Sequence, residues 1–222
     1  MTSSARKSLF EAISAANRME VASLLNLEPA LAQQENDMGI TPIVWAAYHR
    51  QFEIAQTIAS YCDKLLPFEM AVLGDVEGLQ AAFEINPQII SQVSSDGFTL
   101  LHYGCFFGHF GLVKWLITKG SQLDANTPQK IRPIHSAVAA KATPIVQLLL
   151  ASGADPNVKQ LGGFTPLMSA AKHGELDIIA ALLSHGARTT LKDDQGFTAR
   201  DMALAEKQMA AVQLIDQNQD TS

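Results

Sequence analysis

Six histidines and two cysteines are the side chains of this sequence best suited to proton transfer, nucleophilic attack or metal binding. His49, His102, His109, His135, His173 and His185 are spread along the chain and never gather with a cysteine or carboxylate at triad or metal-ligand spacing. A small hydrolase or metal-dependent enzyme would have to be built on His102, His109 or Cys105. Cys105 stands among small residues of an apolar stretch and reads as a buried spacer; the sequence leaves the role of Cys62 open. Two cysteines make neither a disulfide framework nor a four-ligand site. Gly162-Gly163 lacks the Gly-x-x-x-x-Gly-Lys pattern of a phosphate loop and reads as a turn. The expectation is therefore no catalytic residue, no metal and no cofactor.

The elements that position these residues repeat. Gly97-Phe98-Thr99, Lys130-Ile131-Arg132, Gly163-Phe164-Thr165 and Gly196-Phe197-Thr198 open successive blocks at a constant interval of 33. Within a block, Pro166 to His173 reads as a short helix begun by proline and stopped by Gly174. A second helix follows, with apolar residues 176, 178, 179, 182 and 183 at helical spacing and Gly186 as its stop. A polar stretch with turn chemistry completes the block.

The first half has a second regularity, an offset of 58, in which Phe10-Glu11 matches Phe68-Glu69 and Gly39-Ile40-Thr41 matches Gly97-Phe98-Thr99. Two shorter blocks make up that unit. Asn17 stands where later blocks have the glycine that ends the first helix, a substitution that a left-handed backbone tolerates. Arg50 and Lys141 stand there too, at a cost of about 1 kcal/mol each if left-handed. Leu100 replaces an expected proline and Arg132 an expected threonine, so both turns lose part of their usual support.

Helix, turn, helix and extended loop at that interval resemble the ankyrin repeat, and so does the wording: Gly153-Ala154-Asp155-Pro156-Asn157, and Thr165-Pro166-Leu167. The resemblance implies an all-α ankyrin-repeat solenoid with hairpin-like loops. We expect one domain over 1–222, with seven repeats at about 8–38, 39–67, 68–96, 97–129, 130–162, 163–195 and 196–216, a polar last repeat, and a frayed tail at 217–222. His102 and His135 then occupy the slot whose ring hydrogen-bonds turn backbone. By the same resemblance Tyr48, His49, Phe106, Phe107, Ala139, Ala140, Lys172 and His173, late in the first helices, face a concave groove. The tips Ile40, Phe98, Ile131, Phe164 and Phe197 form a second series that either grips a partner or packs on neighbouring hairpins. Asp96, Asp124, Asp193 and Asp194 cluster towards the loops and would favour a basic partner.

Composition sets the limits of function. With 47% hydrophobic and 17% charged residues the chain can bury a core, and a net charge of −6 without a basic run argues against nucleic acid. Nothing approaches the ~20 apolar residues of a membrane span, and charged or polar residues interrupt any N-terminal signal core. The expected function is a non-catalytic, cytoplasmic and monomeric interaction module, an adaptor, scaffold or inhibitor that binds another protein. The rivals are the small enzyme named above and a self-assembling structural protein.

Overall fold

The computed structural model describes residues 2–218, and among them every regular element is helical. From residue 219 on, the tail expected to fray lies outside the described residues. The helices come in pairs: α1 (Thr2–Ser14) with α2 (Arg18–Leu27), α3 (Pro42–Tyr48) with α4 (Phe52–Ala59), and α5 (Pro67–Leu73) with α6 (Val76–Ile85). They continue with α7 (Leu100–Phe106) and α8 (Phe110–Thr118), α9 (Pro133–Ala139) and α10 (Thr143–Ala151), and α11 (Pro166–His173) and α12 (Leu176–Ser184). The last pair is α13 (Ala199–Ala205) and α14 (Met209–Asp216). The chain separates into two compact units, Met1–Leu100 and Leu101–Ser222. In the first, α1, α3 and α5 stack in order, with α2 against α4. In the second, α9, α11 and α13 form one layer and α8, α10, α12 and α14 the other.

One junction recurs in all seven pairs. A single residue in left-handed backbone ends each first helix: Ala16, Arg50, Gly74, Gly108, Lys141, Gly174 and Lys207, with φ between 54° and 79°. The next residue then donates its N–H five positions back, closing the helix by a 6→1 bond. These bonds run from Asn17 to Ala12, Gln51 to Ala46, Asp75 to Met70, His109 to Gly104, Ala142 to Ala137, Glu175 to Ala170 and Gln208 to Ala203, at 2.8–3.0 Å. The acceptors form a column of small residues broken only by Met70, and its members are buried where the second helix crosses. At Gly104 even a methyl would come within 3.1 Å of Val113 Cγ2. Cys105 is buried beside this column, as a spacer would be.

The junction bears out two sequence expectations and corrects a third. Arg50 and Lys141 are left-handed, at φ 58° and 56°. Asn17 is not: its φ is −85°, and the left-handed residue is Ala16. Asn17 instead caps α2, its Oδ1 accepting from Glu20 N–H at 3.2 Å. Asp75, its counterpart in the longer repeating unit, caps α6 in the same way with Gly78 N–H at 2.8 Å. A side-chain acceptor is worth more at the start of a helix, where N–H groups lack partners, than one residue earlier.

The first helices begin on proline at 42, 67, 133 and 166, and the side chain three residues into each helix decides how its first turn is satisfied. Glu69 Oε2 accepts from Leu66 N–H at 2.8 Å, His135 Nδ1 from Arg132 N–H at 3.1 Å, and Asp201 Oδ2 from Thr198 N–H at 2.8 Å. Thus the turn at Arg132 regains from His135 part of what the missing threonine would supply. The Thr198 hydroxyl also donates to Asp201, and these bonds hold its carboxyl below the usual range.

Five hairpin turns join the repeats, each with the carbonyl of the tip residue accepting from four positions earlier: Ile40, Phe98, Ile131, Phe164 and Phe197. In the second unit the hairpins bond to each other, Leu161 N–H to Gln129 C=O at 2.9 Å and Asp194 N–H to Gly162 C=O at 3.0 Å.

The non-glycine junctions make a direct test. Replacing Arg50 or Lys207 by glycine should raise the urea midpoint, by about 1 kcal/mol in free energy, since the left-handed cost is removed. Lys141→Gly should gain less, because it also breaks a 2.7 Å ion pair with Glu175. Gly174→Ala should lower stability, since a side chain is strained at its φ of 68° and the Gln208 side chain would also have to move aside.

Candidate functional site

The late first-helix positions of the two units carry different chemistry. In the first unit, Trp45 stacks edge-on against Phe10, with centroids 6.0 Å apart, and the His49 ring lies 4.9 Å from Trp45. The Trp45 indole N–H donates to Ser14 Oγ at 3.0 Å, fixing the ring. Tyr48 is half-buried, and its hydroxyl donates to the Asp96 carboxylate, which also accepts from Ser94 Oγ. Tyr48 and Asp96 are thus tied together, and Asp96 belongs to a built network rather than to a loose acidic rim. Phe10 and Trp45 were not singled out in the sequence, although Trp45 lies one helical turn before Tyr48 and His49.

In the second unit, Phe107 is the hub. It stacks parallel to Tyr103 at 6.2 Å, meets Phe106 edge-to-face at 5.2 Å, and lies 6.5 Å from the His109 ring. Tyr103 is buried, Phe107 half-buried, and Phe106 is 39% exposed on the last turn of α7. The equivalent positions in the next two repeats are Ala139 and Lys172, both exposed, with His173 beside Lys172 and its Nδ1 bonded to Ser169 C=O at 2.8 Å. Phe110, the first residue of α8, is also exposed, and the sequence analysis did not single it out.

The tips are graded by what covers them. Ile40 is buried at 8% exposure; Phe98, Ile131 and Phe164 are half-buried; Phe197, in the last repeat, reaches 49%. Side chains at the turn onset help to hold four of them: Asn36, Ser94, Thr127 and Asp193 accept from the tip N–H groups at 2.8–3.1 Å.

The groups that could do chemistry are spent on structure. His102 is fully buried with Nε2 on Ile131 C=O at 3.1 Å. His135 Nδ1 is an acceptor, so its proton sits on Nε2; burial pushes the imidazole down to about 4, partly offset by the backbone of Val158 and Phe164. His185 Nδ1 bonds Ala181 C=O at 2.9 Å. Burial drives the Cys105 thiol far up, and it lifts Cys62 to about 11, with the carboxylates of Glu69 and Asp63 adding to the effect. Neither is a thiolate at neutral pH. A cleft of about 200 Å³ beside Arg6, Lys7, Phe10, Asn36 and Asp37 is below the usual size for an organic ligand. No helix of the described residues is long and apolar enough to cross a membrane.

Glu69 is the one fully buried carboxylate among the described residues. Burial raises it above the usual range, against the pull of the Leu66 N–H, Thr41 and Gln33, and Oε1 lacks a hydrogen bond of ordinary length. A folded-state pKa above the unfolded value means that its contribution is full below about pH 4.5 and lost as pH rises. Glu69→Gln should therefore raise the thermal midpoint at pH 7, with the gain shrinking towards pH 4.5. His135 has the opposite sign. Its depressed pKa contributes stability above about 6.5 that is lost as pH falls towards 4. His135→Gln should lower the midpoint at pH 7 and flatten the pH dependence between those values.

Comparison with known proteins agrees with this architecture. The family model described as Ankyrin repeats (3 copies) matches residues 68–160 and 134–222. The chain is 25% identical over 162 residues to the probable 26S proteasome regulatory subunit p28 of Saccharomyces cerevisiae, covering 66% of this chain and 71% of that one. It is 32% identical over 92 residues to the E3 ubiquitin-protein ligase Ufd4 of Drosophila melanogaster, covering 41% of this chain and 3% of the ligase. What is shared with the ligase is thus a short stretch of a far longer protein.

Proposed function

Because the chain belongs to the ankyrin repeat family, whose members generally bind other proteins, we propose that it is a non-catalytic adaptor anchoring a partner protein on its exposed first-helix ends. The observation that carries this reading is the Phe106–Phe107 pair. Phe106 offers a large apolar face on a helix, and Phe107, locked by Tyr103 and His109, backs it. A ring held so firmly loses little conformational freedom on contact, which makes it an efficient anchor. Lys172 and His173 add polar selectivity at the matching place in the next repeat but one. Of the tips, Phe98, Ile131, Phe164 and above all Phe197 keep surface for contact, whereas Ile40 is covered.

Two findings favour this over the small enzyme. Both thiols are held protonated, and the best-placed imidazoles are committed to backbone bonds. The likeness to a proteasome regulatory subunit supports a partner that is itself part of a larger assembly.

Capture from native lysate tests the reading, with the wild type beside a Phe106→Ala/Phe107→Ala variant. A partner held by the first and lost by the second, at unchanged helix content, is the expected result. The same partners on both would move the anchor elsewhere, and no specific partner on either would overturn the adaptor reading. Light scattering at several concentrations should show a monomer, and concentration-dependent growth would favour self-assembly instead.

A further inference from the structure

The hairpins of the second unit break local rules twice where they touch. Gly39, Gly97, Gly163 and Gly196 hold the left-handed place just before the tip of four hairpins, with φ between 72° and 90°. In the fifth, Lys130 holds it at φ 58°, a backbone strain that glycine would remove. The Gln129 carbonyl, in the peptide bond next to Lys130, accepts the Leu161 N–H at 2.9 Å. Leu161 is 66% exposed, so its aliphatic side chain gains little from burial in the fold. Pro128 and Asp194 take its place in the hairpins before and after, so the turn has no need of leucine.

These hairpins form one continuous surface. The Asp194 N–H donates to the Gly162 C=O at 3.0 Å, and Lys159 Nζ donates to the Lys192 C=O at 2.6 Å. Together with the bond from Leu161 to Gln129, these contacts join the turns at Thr127–Ile131, Gln160–Phe164 and Asp193–Phe197, all within the second compact unit.

Charge says what would cover this surface. In the stretches 126–131, 159–164 and 192–197 the charged side chains are Lys130, Lys159, Lys192, Asp193 and Asp194. Asp193 is buried, its Oδ1 accepting the Gln195 and Phe197 N–H groups at 3.0 and 2.8 Å, which leaves three exposed lysines against one exposed carboxylate. Among the described residues none of the three lysines has an ion-pair partner. Behind the turns Arg132 and Arg188 balance Asp124 and Asp155. The acidic rim expected from the sequence thus gives way to the opposite sign at these tips.

We propose that the joined hairpin tips of the second unit are a docking surface for an acidic segment of a partner protein. Its carboxylates oppose Lys130, Lys159 and Lys192, and an apolar side chain covers Leu161. The strain at Lys130 then serves contact rather than the turn. This surface does not rest on the Phe106–Phe107 reading above.

The test uses the full chain and a fluorescent peptide of about twelve alternating Glu and Leu residues, long enough to cross the three hairpins at the roughly 10 Å spacing of packed helices. A Glu/Ser peptide, which keeps the charge and loses the apolar anchors, and a single-stranded oligonucleotide are the controls. The Glu/Leu peptide should bind, more weakly as salt rises, and more tightly than either control. Leu161→Ser and Lys159→Gln/Lys192→Gln should each weaken binding by roughly five-fold or more, while Phe106→Ala/Phe107→Ala leaves it unchanged. Lys130→Gly separates contact from stability: it should weaken binding yet raise the thermal midpoint, because the strain goes with the side chain. Absence of Glu/Leu binding, binding that survives any of the three hairpin variants, or equal binding of the Glu/Ser peptide would overturn the proposal. So would loss of binding in the Phe106/Phe107 variant, or tighter binding of the oligonucleotide, which would assign the lysines to nucleic acid.

Discussion

Everything in this fold hangs on a hydrogen bond that reaches back five residues. The left-handed residue at each junction turns the chain sharply enough for the next N–H to meet a carbonyl near the middle of the first helix. That closure ends one helix and starts the other in a fixed direction. Alanine or glycine supplies that carbonyl in six of seven repeats, which lets the second helix come close, as Val113 does at Gly104; Met70 is the exception. The packing of each layer follows from this, as does the direction in which the late first-helix side chains point. The same geometry explains why four repeats put alanine, arginine or lysine where glycine would be relaxed: the bond is worth more than the strain it requires.

Much of this was legible in the sequence, because the periods of 33 and 58 fix the register before any element is assigned. Lys141 and Arg50 could be placed as left-handed from register alone. Asn17 was placed one residue off, although the offset of 58 sets Ala16 against the left-handed Gly74 and Asn17 against the cap Asp75, because asparagine suits both roles. The candidate site was legible as positions rather than as an arrangement. Phe106 and Phe107 were named, but the stacking on Tyr103 that holds Phe107 depends on ring orientation, which spacing does not carry. The tips looked equivalent, yet their burial is graded, because cover comes from residues far away in sequence. Glu69 was the least visible feature. It occupies the slot that holds histidine in two later repeats, and nothing local betrays that its carboxylate is fully buried.

The slot three residues into each first helix shows how one backbone task accepts several chemistries. Glutamate, histidine and aspartate all receive the same N–H, and each then brings its own proton equilibrium to a buried or half-buried place. Aspartate in the half-buried last repeat is stabilised as an anion by a hydroxyl; histidine is forced neutral; glutamate is driven towards its protonated form. The carbonyl-capping role of His102 is different again, joining its helix to the following hairpin. Position in the repeat sets the bond, and depth sets the charge.

The hairpin ladder of the second unit also determines how such a chain can change length. Leu161 bonds Gln129 and Asp194 bonds Gly162, with the same sequence offset between donor and acceptor, so the ladder is translationally periodic with the repeat itself. Loss or duplication of one whole block would restore every donor to an equivalent acceptor. An insertion of any other length in the ladder would strand them. In the first unit the smallest exchangeable segment is the longer paired unit, because only that shift carries the turn at Pro29–Gln33 onto the one at Pro87–Ser91. Growth by recombination is therefore quantised differently along one polypeptide.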